Sequence, residues 1–329
     1  MKRRDFMALL AATVGTGLAP AVGASLPENW PEKPVRMIVP FPAGGATDII
    51  ARILAANLER FLGQPFVVDN RAGASGIIGE SAAARAAADG YTVLLTGNGP
   101  HAVNTGLFDP MPYDPLKDFA QISLTSILPL VLNVHPSVPA TNLPEFVTWV
   151  QDNPGKFNYA SPGVGSPPHL TMELFKHENN LDIVHVPYKG SSLAITDLIG
   201  GQITVMFDNA LASFQHIKNG NVRALGVGST ERLSSLADVP TFKEAGFPQF
   251  EAYTWTALAA PAGVPESIMN KLADATAKTL KDAGVKERLT AQGAIAVSST
   301  PAELEERVRS EIIKWTNVIK LAKIEKIRL

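Results

Sequence analysis

A chain of 329 residues with 46% hydrophobic content can bury a large core, and its length favours two domains over one. Its 29 basic and 31 acidic residues leave a formal net charge of −2, which excludes the basic surface that nucleic acid demands. With no cysteine, it has no disulfide framework and no thiol chemistry.

Residues 1–24 read as an export signal: Lys2, Arg3 and Arg4 precede an apolar, Ala-rich stretch from Phe6 to Val22 that ends in Val22-Gly23-Ala24. The Arg3-Arg4 pair fits the twin-arginine route for folded cargo. Gly15, Gly17 and Pro20 break the apolar run short of the roughly 20 residues that span a bilayer. Removing the segment takes away Lys2, Arg3 and Arg4 against Asp5 alone, carrying the formal charge from −2 to −4. A soluble, periplasmic mature protein of about 305 residues, without a lipid anchor, is expected.

From residue 35 onward, short β-rich runs alternate with helical patterns, the signature of α/β layering around mostly parallel sheets. Val35 to Val39 is the first strand. Ile49, Ile50, Ile53, Leu54, Leu58, Phe61 and Leu62 share one face of a helix that Gly63 terminates. Strands follow at 65–68 and 91–95 around a helix near 77–88. The turn formers of 108–115 then precede a run from Ile122 to Val134, read as the first crossing between two lobes. Further strands are expected at 157–161, 183–187, 203–207 and 222–227, with helices near 142–152, 167–178 and 191–199. Tyr253 to Ala259 is the return crossing. The predicted lobes are thus 25–125 with 252–329, and 126–251. A helix from Pro265 to Lys281 stops near Gly284. A last helix opens on the capping box Thr300-Pro301-Ala302-Glu303 and carries Leu304, Val308, Ile312, Trp315 and Ile319 as a core-facing stripe.

Two loops carry the chemistry. Phe41, Ala43, Gly44, Gly45, Thr47 and Asp48 lie where the first strand runs into the first helix, so backbone amides at a helix N-terminus can meet an anion. Gly44 and Gly45 let a ligand approach the main chain, and Thr47 or Asp48 is the expected cap. The segment from Ser161 through Gly163, Gly165, Ser166 and His169 repeats the pattern in the other lobe, with Ser166 as N-cap and Pro167 at the first helical position. Ligands in open α/β sheets bind outside the carboxyl ends of the strands, so facing lobes would bring both loops to one cleft.

A series of motifs spans nearly the whole mature chain. It includes Val39-Pro40-Phe41-Pro42-Ala43-Gly44-Gly45 with Asp48, Val68-Asp69-Asn70-Arg71, Asp89-Gly90-Tyr91-Thr92 and Pro112-Tyr113-Asp114-Pro115. It continues through Gly163-Val164-Gly165-Ser166 with His169, His185-Val186-Pro187-Tyr188-Lys189-Gly190, Asp238-Val239-Pro240-Thr241 and Ala260-Pro261-Ala262-Gly263. This series resembles the extracytoplasmic receptors of tripartite tricarboxylate transporters, the Bug family of periplasmic solute-binding proteins. The resemblance implies a two-lobe, type II-like flytrap fold with a ligand cleft between the lobes. It also implies a monomeric, non-enzymatic receptor without cofactor. Such a receptor captures a small carboxylate, whether a di- or tricarboxylate, an amino acid or an aromatic acid, and hands it to membrane transporter subunits. Both loops would hold the carboxylate through amides, polar side chains and water. Asn98 and Asp208, at strand ends, are further cleft positions that the resemblance implies.

The competing reading is an exported α/β hydrolase or isomerase acting on a small carboxylate, prompted by six histidines with Ser and Asp nearby. Gly73-Ala74-Ser75-Gly76 lacks the G-x-S-x-G spacing of a nucleophile elbow, and Gly163 to Pro168 misses the third glycine of a dinucleotide loop. His169 and His177 lie too far apart for a zinc helix motif, so no metal is expected. The Lys-rich tail from Lys314 to Arg328 alternates with Ile and Leu as a solvated amphipathic helix does. Trp149 and Trp315 fit core stripes, whereas Trp255 and Tyr188 sit where they could reach the cleft.

Overall fold

Four apolar residues around Arg36, with an almost wholly buried pattern, make β1 (Val35–Val39) a central strand covered on both faces. The computed structural model describes residues 29–329, and the expected export signal lies outside the described residues. Helix α1 (Ala46–Leu62) buries Ile50, Ile53, Leu54 and Leu58 on one face. It ends as the sequence predicts, with Gly63 in the left-handed region at φ 78° and its N–H donating to Glu59 O. β2 (Phe66–Asn70) and β3 (Thr92–Gly97) flank β1 in parallel, with α2 (Ile77–Ala84) between them in sequence. After β3, a wide helical turn (Gly99–Val103) runs into the short α3 (Asn104–Leu107).

β4 (Phe119–Val134) is the long strand that organises the rest. Its residues Phe119 to Pro129 pair antiparallel with β9 (Tyr253–Pro261), while Leu130 to Val134 pair with β7 (Val205–Asn209) and, through Val131 to Val134, with β8 (Arg223–Val227). Register shifts after Gln121 and Leu124 bend the strand before it changes partners. Beyond β7, β5 (Phe157–Ser161) and β6 (Ile183–Pro187) continue in parallel, giving the order β2-β1-β3-β9-β4-β7-β5-β6. One sheet section therefore carries β1 to β3 and the other β5 to β8, with β4 common to both.

Helices α4 (Leu143–Gln151), α5 (Pro167–Asn179) and α6 (Ser191–Ile199) lie where the sequence pattern puts them. Leu132, Phe146, Tyr159, Phe175, Phe207 and Phe242 share one apolar core around the second section. Ile38, Leu94, Phe119, Trp315 and Ile319 belong to the core of the first, and Leu170 of α5 packs into that same cluster. Trp149 stacks on Phe157, with ring centroids 3.8 Å apart.

Besides the short α3, two helices depart from the sequence expectation. α7 (Ala210–Lys218) follows β7 directly, and α9 (Ala283–Thr290) follows α8 (Glu266–Lys281). Gly284 is not a stop, because Asp282 accepts a hydrogen bond from Val285 N–H and caps a new helix one residue before it. A two-residue strand, β10 (Ile295–Ala296), then pairs with β4, and α10 (Pro301–Leu321) opens on the full capping box of Thr300 and Glu303.

Candidate functional site

The C-terminal ends of the parallel strands open onto a cavity of about 560 Å³. Of the residues singled out from the sequence, Phe41, Thr47, Asn98, Gly163, Gly165 and Ser166 line it. Ala43, Gly44, Gly45, Asp48, Ser161, His169 and Asp208 do not, and each has a structural reason to lie behind or beside the wall.

The first loop is held from beneath by Asp48 and Asn70. Asp48 accepts hydrogen bonds from Gly44 N–H (2.9 Å), Arg52 Nε (3.0 Å) and Asn70 Nδ2 (3.0 Å), and the same Asn70 amide donates to Phe41 O. Burial pushes the Asp48 carboxyl up, but the bonds from Arg52, Gly44 and Asn70 outweigh it and leave its pKa below the ordinary value. Neither Thr47 nor Asp48 is the N-cap: Gly45 occupies that position, and Asp48, three residues into the turn, reaches back to Gly44 instead. The N–H groups of Ala46 and Thr47, the first two of α1, have no hydrogen-bond partner in the protein. Such open donors are what a helix start offers an anion. Ala43, Gly44 and Gly45 form the exposed outer turn of the loop.

The second loop differs in kind. Ser166 does cap α5: its Oγ accepts from His169 N–H and donates to Gly163 O at 2.7 Å. Pro167 and Pro168 have no N–H, and Leu170 N–H is taken by Ser166 O, so this helix start presents no open amide to the cavity. His169 is buried and accepts from Gly165 N–H through Nδ1 at 3.0 Å. Its ring stacks on His185 with centroids 3.9 Å apart, and His185 stacks on Tyr159 at 4.7 Å. Burial, then the neighbouring His185 and Lys176, pull the His169 pKa down to about 3. Burial likewise pulls His185 down to about 4, with Glu173 opposing and Lys176 assisting. Both rings are neutral props for the loop.

Ser161 lies 2.7 Å from His185 Nε2, a pairing that in a hydrolase would mark a nucleophile. Here Ser161 is fully buried and its hydroxyl is also bound to Gly163 O, so it faces the loop interior. Asp208 is buried as well: its Oδ1 accepts from Asn209 N–H, its Oδ2 has no hydrogen-bond partner, and burial raises its pKa. The next residue, Asn209, takes the place in the cavity wall.

Sequence reasoning missed a third Gly-rich turn. Ala72, Gly73, Ser75 and Gly76 line the cavity between β2 and α2. Gly73 and Gly76 have φ of 126° and 91°, and Ala74 and Ser75 also sit at positive φ. The signal is present in the sequence, because Gly73-Ala74-Ser75-Gly76 sits at another strand-to-helix junction, between β2 and α2. A Cβ on Gly76 would lie 2.8 Å from Pro100 Cβ, so the turn packs directly on the Asn98-Gly99-Pro100 wall. That wall rests on a fully buried chain in which His101 bonds Glu80 and Gln121, and Gln121 donates to Pro115 O. Asn104, Leu107, Leu128, Asn209 and Thr254 to Thr256 complete the lining. Trp255 thus reaches the cavity, whereas Tyr188 donates to Asp197 and is not part of the lining.

None of the lining residues carries a charge. Among the described residues, no group of three His, Cys, Asp or Glu could hold a metal ion, and no helix is long and apolar enough to cross a membrane.

The sequence matches the tripartite tricarboxylate transporter family receptor over residues 50–324. It is 39% identical over 318 residues to protein BugT of Bordetella pertussis, covering 95% of this chain and 97% of that one. Its fold is similar to that of a Rhodopseudomonas palustris protein solved with adipate, at 36% identity and a TM-score of 0.76, covering 91% of this chain and 100% of the other. MatC from Rhodopseudomonas palustris with bound malate is similar too, at 34% identity and a TM-score of 0.71, covering 88% of this chain and 99% of that one. These likenesses span both sheet sections and carry the two-lobe periplasmic-binding-protein fold expected from the sequence. A match of this extent, joined to relatives of nearly equal length, settles the affiliation: the chain belongs to the tripartite tricarboxylate transporter receptor family.

Proposed function

We propose that this protein is an extracytoplasmic receptor that captures a small carboxylate and delivers it to a tripartite tricarboxylate-type membrane transporter, without performing catalysis. The observation that carries the reading is the cavity itself, where strand-to-helix loops from both sheet sections converge and the open amides of α1 meet no protein acceptor. Relatives solved with adipate and malate support a ligand of that size and chemistry.

The lobes in this reading are 25–125 with 252–329, and 126–251. The change of β4 partners at Pro129 and Leu130 supports a hinge there, and a ligand bound by both loops would favour the closed arrangement. The Arg3-Arg4 signal supports export to the periplasm by the twin-arginine route. Replacing both arginines with lysines should then strand precursor in the cytoplasm, and periplasmic mature protein would refute the route.

A thermal-shift screen of the mature chain against carboxylates tests the binding function, because a ligand of the folded state raises Tm by mass action. Turnover of any hit would overturn the non-catalytic reading.

A further inference from the structure

Asn98 lines the cavity, is 3% exposed, and has no hydrogen-bond partner for its Nδ2. A buried amide N–H left without an acceptor costs free energy until a ligand oxygen supplies one. With no bond of its own to fix that donor, the residue depends on its neighbours in the chain, and these are held by a single carboxylate. Glu80, wholly buried on α2, accepts a hydrogen bond from Thr96 Oγ1 through Oε1 and pairs with His101 Nδ1 through Oε2 at 3.1 Å. Thr96 stands two residues before Asn98 and His101 three residues after it, so the two oxygens grip both flanks.

The clamp is itself braced. Gln121 of β4 meets His101 Nε2 and donates to Pro115 O, while Tyr113 donates to Pro100 O within the same turn. α2 follows directly on the Gly73 to Gly76 turn, where a Cβ on Gly76 would meet Pro100 and Ser75 O accepts from Asn104 Nδ2 at 3.0 Å. Glu80 thus ties together the cavity-lining turns that follow β2 and β3.

Packing alone does not call for a carboxylate at this position. Ile77 and Ala83, three residues to either side of Glu80 on α2, belong to an apolar cluster that an apolar residue at position 80 would join. Taking a carboxylate out of water costs several kcal/mol, and well-packed apolar side chains commonly stabilise a core as well as a buried ion pair does. We infer that Glu80 is a positioning residue for ligand binding: by holding Thr96 and His101 it keeps Asn98 Nδ2 in the cavity wall as a preformed donor to a ligand oxygen. This rests on the carboxylate-receptor reading for the ligand, but not for the ordering of Asn98.

The test is a double-variant cycle on the mature chain, read by calorimetry with a panel of short mono-, di- and hydroxycarboxylates that includes adipate and malate. It is joined to 15N relaxation of the Asn98 side-chain amide without ligand. Asn98→Ala should weaken binding roughly tenfold. Glu80→Ala should weaken it about as much, and both together no more than about threefold beyond Asn98→Ala alone, because each removes the same donor. Thr96→Val deletes only the hydroxyl and keeps the side-chain shape, so it serves if Glu80→Ala does not fold; it should weaken binding about threefold, again without adding to Asn98→Ala. In Glu80→Ala and Thr96→Val the order parameter of the Asn98 amide should fall to below about 0.6. A merely structural Glu80 would lower the urea midpoint and leave affinity and amide order as in the parent. That result, or losses that add to those of Asn98→Ala, overturns the inference and leaves the receptor reading intact. Loss of amide order in the variants of a parent that binds no member of the panel supports the clamp and counts against the carboxylate reading.

Discussion

Gly165 of the second loop sits so tightly against Leu107 of α3 that any Cβ at position 165 would overlap the Leu107 side chain. The contact joins the wall following β5 to the wall following β3, and Gly165 also holds φ at 75°, a region that costs an L-residue about 1–2 kcal/mol. Leu107 is 2% exposed and has little room to retreat. Gly165→Ala should therefore lower stability by about 1–3 kcal/mol through strain and overpacking. Adding Leu107→Ala should relieve the overlap but not the backbone strain. Urea unfolding of the single and double variants checks this, and parent-like stability in Gly165→Ala would show the two walls to be less closely apposed.

Ser166 separates capping from charge. Ser166→Ala removes the cap to His169 N–H and should cost about 1 kcal/mol, with a modest loss of affinity. Ser166→Asp keeps an acceptor for that N–H but cannot donate to Gly163 O, and it brings a negative charge to an uncharged wall. It should fold and yet abolish carboxylate binding. Circular dichroism with calorimetry distinguishes the two effects; near-normal affinity in the Asp variant would place the carboxylate elsewhere.

The Asp48 and Asn70 pair shapes the first loop without lining the cavity. Hydrogen bonds to a charged group contribute about 1.5–3 kcal/mol, whereas the ion pair with Arg52 adds little because the Arg52 side chain is 55% exposed. Asp48→Ala should destabilise the protein by about 2 kcal/mol and weaken ligand binding at least fivefold by freeing Gly44 N–H and loosening the Asn70 amide that holds Phe41 O. The folded pKa of Asp48 lies below its ordinary value of 3.8, so its contribution is present above that pH. It is lost as pH falls further through the folded value. Denaturant melts and titration calorimetry on Asp48→Ala measure both effects.

The stacked histidines predict acid lability. Their folded pKa values, about 3 for His169 and about 4 for His185, lie below the ordinary 6.5. Between those limits the unfolded chain binds more protons than the folded one, so stability falls as pH drops from about 6.5 towards 4, by at most roughly 1.4 kcal/mol per pH unit for each ring. Glu173 and Lys176 face the same stack and act on His185 in opposite senses. His185→Gln should flatten the dependence of urea midpoints on pH over this window. An unchanged slope would mean that the rings do not stay neutral on folding.

What was legible in the sequence was whatever local pattern dictates. β1, β5, β6 and α6 begin and end where apolar runs and turn residues put them, and Ser166, Gly63 and Thr300 cap as their types require. The Gly-rich strand-to-helix junctions likewise announced where a cleft would form. Local pattern misjudged α9, because Gly284 resembles a stop until Asp282 is seen to bond Val285 N–H.

The tertiary structure alone decided which side chains face the cavity. Asp48, His169 and Asp208 are polar residues at helix starts or strand ends, and each turns inward because a main-chain N–H of Gly44, Gly165 or Asn209 there needs an acceptor. Asn209 and Trp255 reach the wall because β7 and β9 both pair with β4, and Leu107 because α3 meets the loop that follows β5. A sequence shows the residue types at a junction, but the facing of each depends on partners far along the chain, which only long-range strand pairing brings within reach.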